Sequence, residues 1–177
     1  MDNKALIVLE NIHKRKSVRN FTGSSVTDED LMILLKAAMA APSARNRQPW
    51  AFVVIRERPT LDLLAEGLPY TKMLYQAGAA IVVCGDTTID LQQGATDLWY
   101  QDAAAATQNI LLATESIGLG AVWSALYPYP ERENHVGTIL GLPSAVIPFA
   151  IIPIGQPVGD EEPKDKFRVE KIHWDKW

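Results

Sequence analysis

The sequence predicts an α+β or α/β domain, with a central sheet and helices outside it. Three observations carry that expectation. Apolar runs of strand length recur along the chain, and capped segments of helical period lie between them. The length of 177 residues, 47% of them hydrophobic, suits one domain with a core large enough to fold unaided. No internal repeat, linker or low-complexity stretch divides the chain, so residues 1–177 read as a single domain.

The elements follow in order. Leu6, Leu9, Ile12 and His13 fall at helical spacing and predict a short first helix that ends near a run of cations. Thr27 is a helix N-cap, and Asp28, Glu29 and Asp30 put negative charge on the first turn, where the helix dipole favours it. That helix carries Leu31, Leu34, Leu35, Ala38 and Met39 and is closed by Pro42. Trp50 to Ile55 is aromatic and β-branched and reads as a strand. Leu61 to Glu66 and Tyr70 to Gln76 read as short helices around Gly67 and Pro69, and Ala79 to Cys84, between Gly78 and Gly85, as a second strand.

A long helix is expected from Asp97 to Ile117. Its consecutive alanines, Ala103 to Ala106, with Asn109, Ala113 and Gly118, permit another helix to approach closely, either within the chain or from a partner. Gly120 to Ala125 reads as a third strand, Glu131 to Ile139 as a helix, and Ala145 to Gly155 as a fourth strand. Pro148 and Pro153 each remove a ladder donor, so that strand is expected at an edge or irregular. The tail from Gly159 to Trp177 is charged yet holds Phe167, Trp174 and Trp177. It is too aromatic for a disordered tail and is expected to dock on another surface.

Composition narrows the function classes. A net charge of -4 and a pI near 5.4 argue against a nucleic-acid partner, whereas local basic clusters within an acidic whole suit the capture of a small anion. Cys84 is the sole cysteine, which excludes an internal disulfide, and its apolar run reads as core. His13, His135 and His173 are isolated, without metal-ligand spacing, so no metal is expected. Neither a P-loop nor a Gly-X-Ser-X-Gly elbow occurs. No targeting segment is seen, and no apolar run approaches the roughly 20 residues that cross a bilayer. A cytoplasmic protein with no membrane partner is expected.

Four segments carry candidate chemistry. Arg15-Lys16-Ser17-Val18-Arg19 packs three cations and a hydroxyl into five residues. Arg15 and Arg19 share a face if the first helix persists, while Arg15, Ser17 and Arg19 align if the chain extends. In either geometry guanidinium forks and a hydroxyl can surround a phosphate; a solvated charge run is the alternative. Pro42-Ser43-Ala44-Arg45-Asn46-Arg47-Gln48-Pro49-Trp50 is a polar loop between two apolar elements, suited to a planar ligand or simply to turn chemistry. Lys164-Asp165-Lys166 is a second basic group near the C-terminus. Gly118-Leu119-Gly120-Ala121-Val122-Trp123 lacks the third glycine of a dinucleotide fingerprint and precedes a strand, so it is not one.

Together these segments resemble the signatures of the FMN-dependent nitroreductase family, in particular a smaller bacterial NAD(P)H nitroreductase-like subgroup. The resemblance runs from Arg15 to the ending His173-Trp174-Asp175-Lys176-Trp177. It implies a three-layer α/β/α sandwich with a central mixed, mainly antiparallel sheet. It also implies that Arg15, Lys16, Ser17 and Arg19 hold the FMN phosphate and the adjoining flavin edge, completed by Lys164 and Lys166, with Arg168 competing for the last place. Pro42, Ser43 and Ala44 then reach across a homodimer interface to the neighbouring flavin ring, while Asn46 and Gln48 brace the loop. Lys72 sits by the flavin N1–O2 edge, where a cation stabilises the reduced ring, or else faces solvent. Larger relatives carry a Glu-Gly pair near flavin N5, where this chain has Leu126-Tyr127-Pro128-Tyr129; Tyr127 and Tyr129 either line the substrate pocket or pack. The long helix is the natural interface helix, and residues 159–177 dock on the partner.

The implied activity is FMN-dependent NAD(P)H oxidation with a nitroaromatic or quinone-like small-molecule acceptor, by ping-pong hydride transfer. NADH or NADPH is the donor, and the cofactor rather than a catalytic side chain carries the chemistry. The alternatives are an FMN-binding module without turnover, or a reductive dehalogenase or flavin-fragmenting enzyme on the same fold.

Overall fold

The computed structural model describes residues 2–91, 98–159 and 161–177. Six helices are described: α1 (Asn3–Lys14), α2 (Asp28–Met39), α3 (Arg58–Gly67), α4 (Thr87–Leu91), α5 (Trp99–Ser116) and α6 (Pro130–Leu140). Five strands accompany them: β1 (Trp50–Ile55), β2 (Ala79–Asp86), β3 (Gly120–Ala121), β4 (Ser124–Ala125) and β5 (Val146–Gly155). The expected start of the long helix at Asp97 lies outside the described residues. Thr27 caps α2 as its position predicts: its Oγ1 accepts from the Asp30 N–H at 3.1 Å and donates to the Asp30 carboxylate at 2.7 Å. The short α4 is not foreseen by period. It follows directly on β2, where the Asp86 carboxylate accepts from the Thr88 N–H at 3.0 Å.

The sheet runs in the order β1-β2-β5-β3, with β4 also paired to β5, and all these pairings are antiparallel. The placement of β5 corrects the edge expectation. It lies between β2 on one side and β3 and β4 on the other. Its prolines are accommodated by irregularity instead: the register shifts so that Val83 faces Ala150 and Cys84 faces Pro148, leaving Phe149 as the extra residue of a bulge. The expected strand from Gly120 to Ala125 likewise splits in two around Val122 and Trp123.

Side chains of β2 alternate between two cores. Ala79, Ile81 and Val83 pack with Leu31, Leu34 and Ala38 of α2 and with Ala103, Ala106 and Ile110 of α5. Ala80, Val82 and Cys84 pack with Leu61 and Leu64 of α3 and Val136 of α6. A strand covered on both faces has no polar side, which is why β2 reads as an unbroken apolar run. The result is helix, sheet and helix in three layers.

The small residues of the long helix serve packing within the chain. Ala103 and Ala106 of α5 are buried within the chain, whereas Gln101 and Gln108 are exposed and Ala104, Ala105 and Leu112 half-buried along its outer side. Among its described residues α1 buries none, although Leu6, Ile7, Val8 and Ile12 lie on it. The tail is exposed from Lys164 onward, Trp174 and Trp177 included.

Candidate functional site

Backbone pairing brings the two ends of the chain together. The Val18 N–H donates to the Ala121 carbonyl at 2.9 Å, the Thr22 N–H to Gln156 at 3.0 Å, and the Val158 N–H to Asn20 at 3.0 Å. Val18 and Phe21 are buried with Met73, Ala77 and Val122 in a small third core. The segment after α1 is therefore extended: Arg15 already has φ -54° and ψ 126°, and the side chains beside inward-facing Val18 turn the other way. Gly120 permits this close approach, since a Cβ there would lie 2.7 Å from a Val18 methyl.

A cleft of about 540 Å³ opens between this segment and the start of the tail. Arg15, Lys16, Ser17, Arg19, Lys164 and Lys166 line it, together with Asn20, Glu161 and Glu162. Five cations against two carboxylates leave a positive site suited to a phosphate. One of those acids is engaged, Glu161 Oε1 accepting from Asn20 Nδ2 at 3.3 Å. Lys16 is partly committed elsewhere, with its Nζ 3.3 Å from Glu115 Oε1 near the C-terminal end of α5. Of the two competitors in the tail, Lys166 lines the cleft, while Arg168 turns its Nη1 to the Phe167 carbonyl at 2.7 Å.

Arg19 also lines a smaller cleft of about 190 Å³, with Pro69, Tyr70, Met73, Val122, Trp123, Ser124, Ala125 and Arg132. Lys72 is exposed on the adjoining short helical turn and lines neither cleft, although its neighbour Met73 lines the smaller one. The two tyrosines separate. Tyr127 packs, stacked on Tyr100 with centroids 5.9 Å apart and edge-on to Trp99 at 4.8 Å. Tyr129 instead carries the Arg132 guanidinium 3.9 Å above its ring. Arg132 escapes a reading of the sequence by motif; its only signal is its place one helical turn after Tyr129.

The polar loop lies elsewhere. Within Pro42–Trp50, Arg45, Asn46 and Gln48 hold positive φ values of 54°, 56° and 55°, a costly backbone for residues other than glycine. Ser43 braces the loop, its Oγ accepting from the Gln48 N–H at 3.0 Å, and so does Asp102. Asp102, a buried carboxylate in the first turn of α5, accepts from the Ala44 N–H at 3.0 Å. From Asp102 to Glu115 along α5 is about 20 Å. Pro42, Ser43, Ala44 and Asn46 thus sit at one end of α5, and the cation cleft at the other.

Residues 12–156 match the Nitroreductase family. The chain belongs to that family. It is 41% identical over 172 residues to a candidate NADH dehydrogenase/NAD(P)H nitroreductase of Archaeoglobus fulgidus, covering 96% of this chain and 98% of the relative. A crystal structure of a candidate NADH dehydrogenase/NAD(P)H nitroreductase from Parabacteroides distasonis superposes with a TM-score of 0.93 at 46% identity, covering 99% and 100% of the two chains. A candidate nitroreductase from Desulfovibrio desulfuricans, solved in complex with FMN, superposes at 0.81 with 31% identity, covering 99% and 98%. The family inferred from the basic run and the polar loop is the one these comparisons return, and so is the fold.

Two further features belong to this member of the family. Burial pushes the Cys84 thiol up to about 12, so it stays neutral and unreactive in the core. No helix among the described residues is long and apolar enough to cross a membrane.

Proposed function

We propose that the chain is an FMN-dependent NAD(P)H oxidoreductase that reduces nitroaromatic or quinone-like acceptors by a ping-pong cycle. The observation that carries this reading is the cleft in which Arg15, Ser17 and Arg19 meet Lys164 and Lys166. A net positive site built from both ends of an acidic chain fits the phosphate of a mononucleotide. Arg15 and Arg19 offer planar forks to the phosphate oxygens, Ser17 a hydroxyl donor, and the two lysines point charges. When bound, FMN supplies the redox relay from a reduced nicotinamide to the acceptor. The protein binds, orients and excludes water, which is why no side chain is assigned as a catalyst.

The same reading calls for a homodimer. One chain holds its polar loop and its cation cleft about 20 Å apart along α5, so a flavin meeting both takes the loop from a second copy. The outer side of α5, the unburied apolar residues of α1 and the aromatic tail are the surfaces available to that copy. A cytoplasmic setting accompanies this reading.

The test is the visible spectrum of the purified protein after loading with FMN and desalting. One retained FMN per chain is expected. Arg15→Ala combined with Arg19→Ala is expected to weaken FMN binding by about a hundredfold or more, from the loss of two charge-assisted contacts. Unchanged occupancy in the double variant would refute the phosphate assignment.

A further inference from the structure

The smaller cleft holds a guanidinium that the phosphate site does not use. Arg132 reaches it from the first turn of α6, and no carboxylate lines it. The side chain is fixed in place: its guanidinium carbon lies 3.9 Å above the Tyr129 ring, and Nη1 donates to the Ala125 carbonyl at 3.0 Å. Its Nε is buried with no hydrogen-bond partner among the described residues. The Glu131 carboxylate comes only within 4.0 Å of that nitrogen and is mostly exposed. Around this charge the cleft mixes polar and apolar lining, with Trp123, Met73 and Val122 beside Arg19 and Ser124 and the exposed Tyr70 at its rim. A volume near 190 Å³ suits one substituted ring.

Arg19 belongs to both clefts, so the smaller one adjoins the proposed cofactor site. With Arg19 engaged there, Arg132 is the cation left for a second ligand. A held guanidinium beside aromatic walls recognises a carboxylate attached to a planar ring, because the fork matches two carboxylate oxygens and the walls match the ring face.

We propose that Arg132 selects the acceptor, favouring planar, ring-containing acceptors that carry a carboxylate. This deepens the reductase reading and rests on it. Arg132 touches the anionic group of the acceptor and leaves its reducible end to the flavin.

The experiment compares 4-nitrobenzoate with its neutral counterpart 4-nitrobenzamide, using the FMN-loaded enzyme and saturating reduced nicotinamide. The wild type is expected to favour the carboxylate by about tenfold or more in kcat/KM, the scale of a charge-assisted contact. Arg132→Met is expected to lose that preference through KM, with 4-nitrobenzamide within about twofold of wild type; Arg132→Lys should retain part of it. An equal loss on both acceptors, or a drop in FMN occupancy, would show that Arg132 only braces the Ala125 segment and would overturn the proposal. A second arm needs no variant: calorimetry of benzoate and benzamide against the wild-type FMN-loaded protein. Tighter benzoate binding without any turnover would keep the arginine site and discard the reductase. Turnover with no preference for benzoate would discard the arginine site and keep the reductase.

Discussion

The two ends of α5 solve different problems by different means. At its C-terminal end, charges from opposite ends of the chain are gathered by a few backbone hydrogen bonds, those of Val18, Thr22 and Val158. At its N-terminal end, a short loop takes three left-handed residues and is held to the helix by one buried carboxylate, Asp102. The cation end concentrates like charges, which repel until an anion arrives; the loop end stores backbone strain. The contrast teaches that one helix can hold a cluster of cations apart from a strained loop, each fixed by its own contacts. It also implies that the two should fail independently when perturbed.

The largest effect is expected at the loop. Asp102→Ala strands a backbone donor and removes the anchor of Ala44, which should cost about 2–3 kcal/mol in denaturant unfolding. Affinity for inorganic phosphate at the other end should stay within about twofold. A parallel fall in phosphate affinity would break the separation of the two ends. Gly120→Ala tests the opposite end. Its Cβ would press on Val18, so a cost of about 1–3 kcal/mol and weaker FMN binding are expected, with unchanged protease sensitivity in the Pro42–Trp50 loop.

Cys84 serves as the control between them, in the strand that both cores share. Its folded thiol is pushed up to about 12 from the ordinary 9.0. Because the folded value is the higher one, the stability it contributes is complete below about pH 9 and is lost as pH rises toward 12. Native protein at pH 8 should therefore resist alkylation by iodoacetamide, and urea-unfolded protein should react. Rapid native labelling would show that the shared strand opens. The smallest effect belongs to Lys16→Gln. Its charge is already partly matched by Glu115, so FMN affinity should change by less than about threefold and stability by under about 1 kcal/mol.

Much of the fold was legible along the chain because caps and periods are local. Thr27 announces α2, and the alternation of β2 between two cores leaves a short apolar run that reads as a covered strand because Gly78 and Gly85 bound it. The basic run and the polar loop were legible as motifs, which is why the family could be read from residues. Asp102 was not, since a lone acid in a helix looks the same whether it faces water or anchors a loop 58 positions earlier. Arg132 was missed for the same reason: its partners, a ring and a carbonyl, carry no sequence signature.

By itself, then, the sequence determined most of the element types, the central sheet with helices outside it, the buried cysteine and the family. Those depend on propensity, period and short motifs, all read within a few residues. Only the tertiary structure decided that β5 is central despite Pro148 and Pro153, that Lys166 rather than Arg168 joins the cation cleft, and that the loop and the cleft occupy opposite ends of one helix. Each of these turns on long-range pairing, which depends on what lies across the sheet or at the far end of the chain and leaves no mark on the residues nearby.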